Sequence, residues 1–170
     1  MQVSKHLLLA IFVLLFTTCI SAQTTTILLL RHAEKDTTSS SATMMVANPS
    51  LSKAGELRSQ QLLTTLQLYK PDIIYSTNYI RTKATVEPLS KKFNKEIQWY
   101  DPKKLQSFAD SLLQIVDKTI VVVGHSNTTP ALVNLLIREN KYPAMEDNNY
   151  NQFWIVTIQN NKAVAELRNY

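Results

Sequence analysis

Two histidines and two arginines stand where this chain could do chemistry. Arg31 and His32 follow directly on Ile27-Leu28-Leu29-Leu30, with Glu34 and Lys35 just beyond. His125 follows Gly124 at the end of Thr119-Ile120-Val121-Val122-Val123, and Asn127 comes shortly after. Arg81 lies about a helical turn past Thr77 and Asn78, which close a third, shorter apolar run. A guanidinium offers a planar fork that matches phosphate oxygens. A histidine near neutral pH can serve as nucleophile or proton carrier. Gathered in one place, these four side chains would make a cationic pocket suited to phosphoryl chemistry.

The elements between them have to do the gathering. Uninterrupted aliphatic runs such as 27–30 and 119–123 suit strands buried on both faces, as in a parallel sheet covered by helices. Sheets of that kind bind ligands at the carboxyl ends of their strands, which is where both histidines fall. The first strand is expected over Thr24–Leu30. The segment Lys35–Ser50, rich in Thr, Ser, Asn and Pro, reads as a loop. Ser52 then caps a helix with Gly55 and Glu56 in its first turn and Leu57, Leu62, Leu63, Leu66 and Leu68 on its apolar side. Pro71 ends it. A strand over Asp72–Tyr75, a helix over Tyr79–Phe93, a strand over Glu96–Tyr100 and a helix over Lys103–Val116 follow. Gly124 makes the sharp exit from the strand at 119–123, and Pro130 suits the first turn of a helix reaching Arg138. Glu139–Asn151 is a second polar loop. Gln152–Gln159 and Ala163–Arg168 flank Asn160-Asn161, a hairpin signal. The alternation predicts a single three-layer α/β/α domain, its central sheet mostly parallel with an antiparallel edge.

Composition narrows the chemistry. The chain has 170 residues, 45% of them hydrophobic and 18% charged, which fits one globular body with a real core. Only two glycines occur, Gly55 and Gly124, so neither a glycine-rich phosphate loop nor a dinucleotide fingerprint is available. Any anion must be held mainly by side chains. Lys5, the apolar stretch Leu7–Phe16 and the small residues Ser21-Ala22 have the form of an export signal over residues 1–22, leaving a domain over 23–170. Export would be periplasmic or extracellular; an uncleaved anchor, or lipidation at Cys19, are the alternatives, and a membrane would be met only through that N-terminal segment. Cys19 is the only cysteine, so a domain cut after Ala22 has no disulfide, thiolate nucleophile or cysteine metal site. With only His32 and His125 remaining and no HExxH-like spacing, no metal centre is expected. The formal charge of the whole chain is +5, a mild and dispersed excess that suits an anionic substrate and not nucleic acid.

Four stretches resemble the histidine phosphatase superfamily, the phosphoglycerate mutase-like group. Leu29-Leu30-Arg31-His32-Ala33-Glu34 is similar to its leading arginine-histidine-glycine motif, with Ala33 in place of the glycine. Leu51-Ser52-Lys53-Ala54-Gly55 is similar to the signature opening its first helix. Thr77 to Thr85 is similar to its segment carrying the second arginine, and Val123-Gly124-His125-Ser126 to its second histidine motif. The resemblance implies a metal-independent phosphatase without cofactor, acting on a small or protein-borne phosphate ester. His32 would attack phosphorus and hold a phosphohistidine, while Arg31, Arg81 and His125 bind the phosphoryl oxygens. Asn127 would add a donor near a helix start. Thr37, standing where many mutases carry an asparagine, is the remaining expected substrate contact. Asp101 and Glu34 are the leading candidates for protonating the leaving group, with Glu87, on the solvated side of its helix, a third; each would need a raised pKa. Two other functions stay open: a phosphoanion-binding protein without turnover, and a mutase-type phosphotransferase.

Overall fold

The computed structural model describes residues 23–37 and 48–170. The segment read as an export signal and most of the first loop lie outside the described residues. The elements run β1 (Thr24–Arg31), α1 (Lys53–Leu66), β2 (Ile73–Ser76), α2 (Ile80–Phe93), β3 (Ile97–Trp99), α3 (Leu105–Leu113), β4 (Thr119–Gly124), α4 (Thr128–Ile137), β5 (Gln152–Gln159) and β6 (Lys162–Asn169). Among the described residues no helix is long and apolar enough to cross a membrane.

The strands form one sheet in the order β3-β2-β4-β1-β5-β6. β1 to β4 are mutually parallel, and β5 and β6 run antiparallel along one side. Asn160 and Asn161 both take left-handed backbone, with φ of 51° and 60°, the conformation a tight hairpin between β5 and β6 demands.

Alternation along the buried strands divides the core into two layers. Leu28, Leu30, Val121 and Val123 face Leu62 and Leu66 of α1 and Val86 and Leu89 of α2. Ile27, Leu29, Ile120 and Val122 face Ala109 and Leu112 of α3 and Leu132, Val133 and Leu136 of α4. Helices on both faces are why these strands read as unbroken aliphatic runs.

Helix α1 departs from the expected apolar side. Leu57 is 67% exposed, and Leu68, past the helix end, is 80% exposed. The buried positions are Gly55, Ser59, Leu62 and Leu66. Helical periodicity allows one stripe, and Gly55 fixes which one. Its Cα lies so close to the Glu34 backbone that a Cβ there would collide with the Glu34 carbonyl oxygen. Ser59 is inward for a different reason. Pro88 within α2 has no N–H, which leaves the carbonyl four residues earlier without its helical donor. Ser59 Oγ reaches that carbonyl, Ala84 O, at 3.1 Å and Thr85 O at 2.9 Å. α1 is thereby pinned to α2, and both to the strand end at Arg31-His32: Ala33 N–H donates to Thr85 Oγ1 at 2.9 Å.

Candidate active site

Strand register brings the predicted residues together. Arg31 of β1 is the partner of Gly124 of β4, and Ser76 of β2 is the partner of Val123. Three neighbouring parallel strands therefore end level, and the residues just beyond them share one crevice. His32 N–H donates to the Gly124 carbonyl at 3.0 Å. The rings of His32 and His125 stand edge to face with centroids 5.5 Å apart. Gly124 is required because a Cβ would come within 2.8 Å of both Thr129 Oγ1 and the Tyr100 hydroxyl.

His32 is only 4% exposed. Its Nδ1 lies 2.7 Å from the Ala33 carbonyl oxygen, which can only accept. Nδ1 therefore carries the proton and Nε2 keeps its lone pair. Burial is the main force pulling the His32 pKa from 6.5 down to about 3; the Ala33 carbonyl opposes it, and Arg81, His125 and Arg31 add to it. His125 is drawn down to about 4, by burial first and then by Arg81 and Arg31. Its Nδ1 is 3.5 Å from Arg81 Nη2 and its Nε2 is 3.1 Å from Thr77 Oγ1. A guanidinium only donates, so Nδ1 is the acceptor and Nε2–H donates to Thr77. Thr77 donates on to Thr82 Oγ1 at 3.0 Å, and Thr82 to the Tyr79 carbonyl at 2.9 Å. The hydroxyls of β2's end thus set the tautomer of the second histidine.

The two arginines have divided tasks. Arg31 Nη1 donates to the carbonyls of Glu146 and Asn149 at 2.9 and 3.0 Å, and Nη2 to the Tyr150 hydroxyl at 3.3 Å. One edge of Arg31 is spent on the loop 139–151, and the Tyr150 ring stacks 4.0 Å from its guanidinium carbon. Arg31 Nε remains buried with no protein partner, as do Arg81 Nε and Nη1. Neither arginine is in an ion pair among the described residues. An unsatisfied buried donor costs roughly 1–3 kcal/mol, so three of them on two residues that line one crevice are donors suited to an anion's oxygens.

That crevice is a cleft of about 430 Å³ lined by Arg31, His32, Arg81, His125 and Asn127 together with Lys35, Tyr79, Lys103 and Asp147. Five of the expected site residues are brought together and three are not. Thr37 is exposed and outside the lining. Asp101 belongs to the turn that supplies Pro102 and Lys103 to the cleft, but its Oδ1 accepts from Lys103 N–H at 2.9 Å and does not line it. Glu34 is held by Arg58 of α1, with Nε 2.8 Å from both carboxylate oxygens and Nη2 2.7 Å from one. Burial pushes the Glu34 carboxyl up, but the Arg58 hydrogen bonds and charge outweigh it and hold the group below its ordinary value. Glu34 is therefore engaged with Arg58 and does not line the cleft. No cluster of His, Cys, Asp or Glu with a metal-binding arrangement occurs among the described residues.

Residues 27–103 match the family model of the histidine phosphatase superfamily, branch 1. Over that stretch the chain is similar to the histidine phosphatase superfamily. No curated protein sequence matches the chain. Solved structures share the fold at low identity. Phosphoserine phosphatase from Entamoeba histolytica, in complex with 3-phosphoglyceric acid, aligns with a TM-score of 0.62 at 17% identity, covering 86% of this chain and 98% of that one. The protein histidine phosphatase SixA complexed with tungstate aligns at 0.59 and 16%, covering 85% and 96%. Mycobacterial glucosyl-3-phosphoglycerate phosphatase aligns at 0.66 and 12%, covering 86% and 98%.

Several residues at the site carry no signal in the sequence. Tyr79 packs under Arg81 at 4.6 Å and against His125 at 5.0 Å. Asp147, in the lining, and Tyr150, which is outside it but stacks on Arg31, come from a polar loop with no pattern to mark them. Asp147 is the only carboxylate among the described residues that line the cleft.

The histidines also predict a pH response. Both titrate near 6.5 when unfolded but at about 3 and 4 when folded, so below pH 6.5 the unfolded chain binds more protons. Stability should therefore fall as pH drops from about 6.5 towards 4. A melting series in weakly binding buffer checks this. His32→Asn should decline less steeply than wild type, and equal slopes would remove His32 from the account. Saturating inorganic phosphate should flatten the wild-type decline, because a bound anion offsets the repulsion from the arginines.

Proposed function

We propose that the protein is a metal-independent phosphatase that hydrolyses phosphomonoesters through a phosphohistidine on His32. One observation carries this reading. The His32 Nδ1 proton is committed to the Ala33 carbonyl, which leaves the Nε2 lone pair beside a slot of buried, unpaired guanidinium donors. Neutrality at Nε2 persists far below neutral pH, so the nucleophile is available at any working pH. Arg81, His125 and Arg31 Nε are the groups to neutralise charge spread over the equatorial oxygens, which is most of what phosphoryl transfer needs. The fold shared with proteins named as phosphatases and the similarity of residues 27–103 to the histidine phosphatase superfamily add support.

The test is chemical trapping. Rapid acid-free quenching of the protein with a ³²P-labelled aryl phosphate should leave one label per chain at His32, stable to alkali and lost in acid, as expected of an N–P bond. Labelling resistant to acid, or turnover that vanishes on metal chelation, would overturn the proposal. Tight phosphate binding without turnover of any ester would favour a phosphoanion-binding protein.

A further inference from the structure

We propose that Asp147 supplies the proton to the departing oxygen, the role that the sequence assigns to Asp101 or Glu34; this rests on the phosphatase reading above. The argument begins with the loop that carries it. Met145 N–H donates to the Ser126 carbonyl at 2.9 Å, fastening the loop to the segment after His125. Arg31 Nη1 bonds the carbonyls of Glu146 and Asn149, which bracket Asp147. The guanidinium next to the nucleophile therefore holds the backbone on both sides of one aspartate at the mouth of the cleft. Tyr170 braces the same loop, its hydroxyl donating to the Tyr150 carbonyl at 2.9 Å.

Elimination points the same way. Glu34 is spent on Arg58, Asp101 on the backbone of its own turn, and Glu146 reaches the site only through its carbonyl. Asp147, an exposed residue, is the only Asp or Glu among the described residues that line the cleft, whose other lining residues are cationic or neutral.

The step balances as follows. His32 Nε2 forms a bond to phosphorus as the bond from phosphorus to the ester oxygen breaks. That oxygen takes the Asp147 proton and leaves as the alcohol. The carboxylate then removes a proton from water, whose oxygen attacks the phosphohistidine. The N–P bond breaks with its electron pair returning to Nε2, phosphate departs, and both residues are restored.

The experiment compares kcat/KM, which reports the first step, for 4-nitrophenyl phosphate and for glycerol 2-phosphate. Asp147→Asn should lower the alkyl value by roughly 10²- to 10³-fold and the aryl value little, because nitrophenolate leaves without help. Asp147→Glu, which keeps the acid, should recover part of the alkyl rate. Asp101→Asn and Glu34→Gln should leave the aryl-to-alkyl ratio unchanged. Asp147→Asn slowing both substrates equally, or neither, overturns the inference, as does either control variant reproducing the selective loss. His32→Ala in the same panel separates the failures. If it is dead while Asp147→Asn is indifferent, only the Asp147 assignment falls; if it matches wild type, or wild type turns over neither ester, the phosphatase reading falls as well.

Discussion

Replacing His32 with alanine is expected to reduce kcat/KM for every phosphomonoester by on the order of 10⁴-fold or more, since loss of a covalent nucleophile removes a whole reaction path. The fold should survive the change. His32 contributes one side-chain hydrogen bond, to the carbonyl of its neighbour Ala33, while its backbone N–H still reaches Gly124. The variant should also melt higher than wild type in acid, because it no longer has to keep a buried imidazole uncharged against Arg81, His125 and Arg31. Steady-state kinetics and a melting curve on one preparation read both effects. A variant that kept even a hundredth of wild-type turnover would leave His32 as a binding group and the phosphohistidine without support.

Arg81→Gln is expected to cost about 10³-fold in kcat/KM, the scale seen for arginines that neutralise a transferring phosphoryl group. Its effect on stability should have the opposite sign. Arg81 Nε and Nη1 are buried donors without partners in the free protein, and burial already pulls its guanidinium pKa below the ordinary value. Removing the charge relieves that penalty, so the ligand-free melting temperature should hold or rise. The melting shift on adding phosphate or tungstate should shrink to little or nothing. Arg81→Lys should recover little of the rate, because an ammonium cannot present the planar fork. Destabilisation of free Arg81→Gln, with full protection by phosphate retained, would mean that Arg81 is a structural residue and that the anion binds elsewhere.

How much was legible in the chain follows from what each part depends on. The aliphatic runs at 27–30 and 119–123 needed no partner to be recognised, because burial on both faces leaves no room for polar alternation. Their order with the helices implied the layers, and the strand ends named Arg31, His32, Arg81 and His125. Those residues lie within a step or a turn of an element boundary, so local sequence alone carried them to the crevice. The hairpin at Asn160-Asn161 was equally local, since two left-handed residues in succession are themselves the turn.

Other features were decided only by contacts between distant segments. Which stripe of α1 faces inward depended on Gly55 meeting the Glu34 backbone and on Ser59 answering the carbonyl freed by Pro88. No periodicity within the helix contains that information, so Leu57 read as core although it is exposed. The fate of each carboxylate was likewise set from afar: Arg58 captures Glu34 across the gap between β1 and α1, whereas the Arg31 fork draws the loop bearing Asp147 over the site. A sequence can announce a nucleophile beside a buried strand, because one element fixes its place. It cannot announce which acid stands opposite, because that distance belongs to two elements and to the charges that pair before either reaches the substrate.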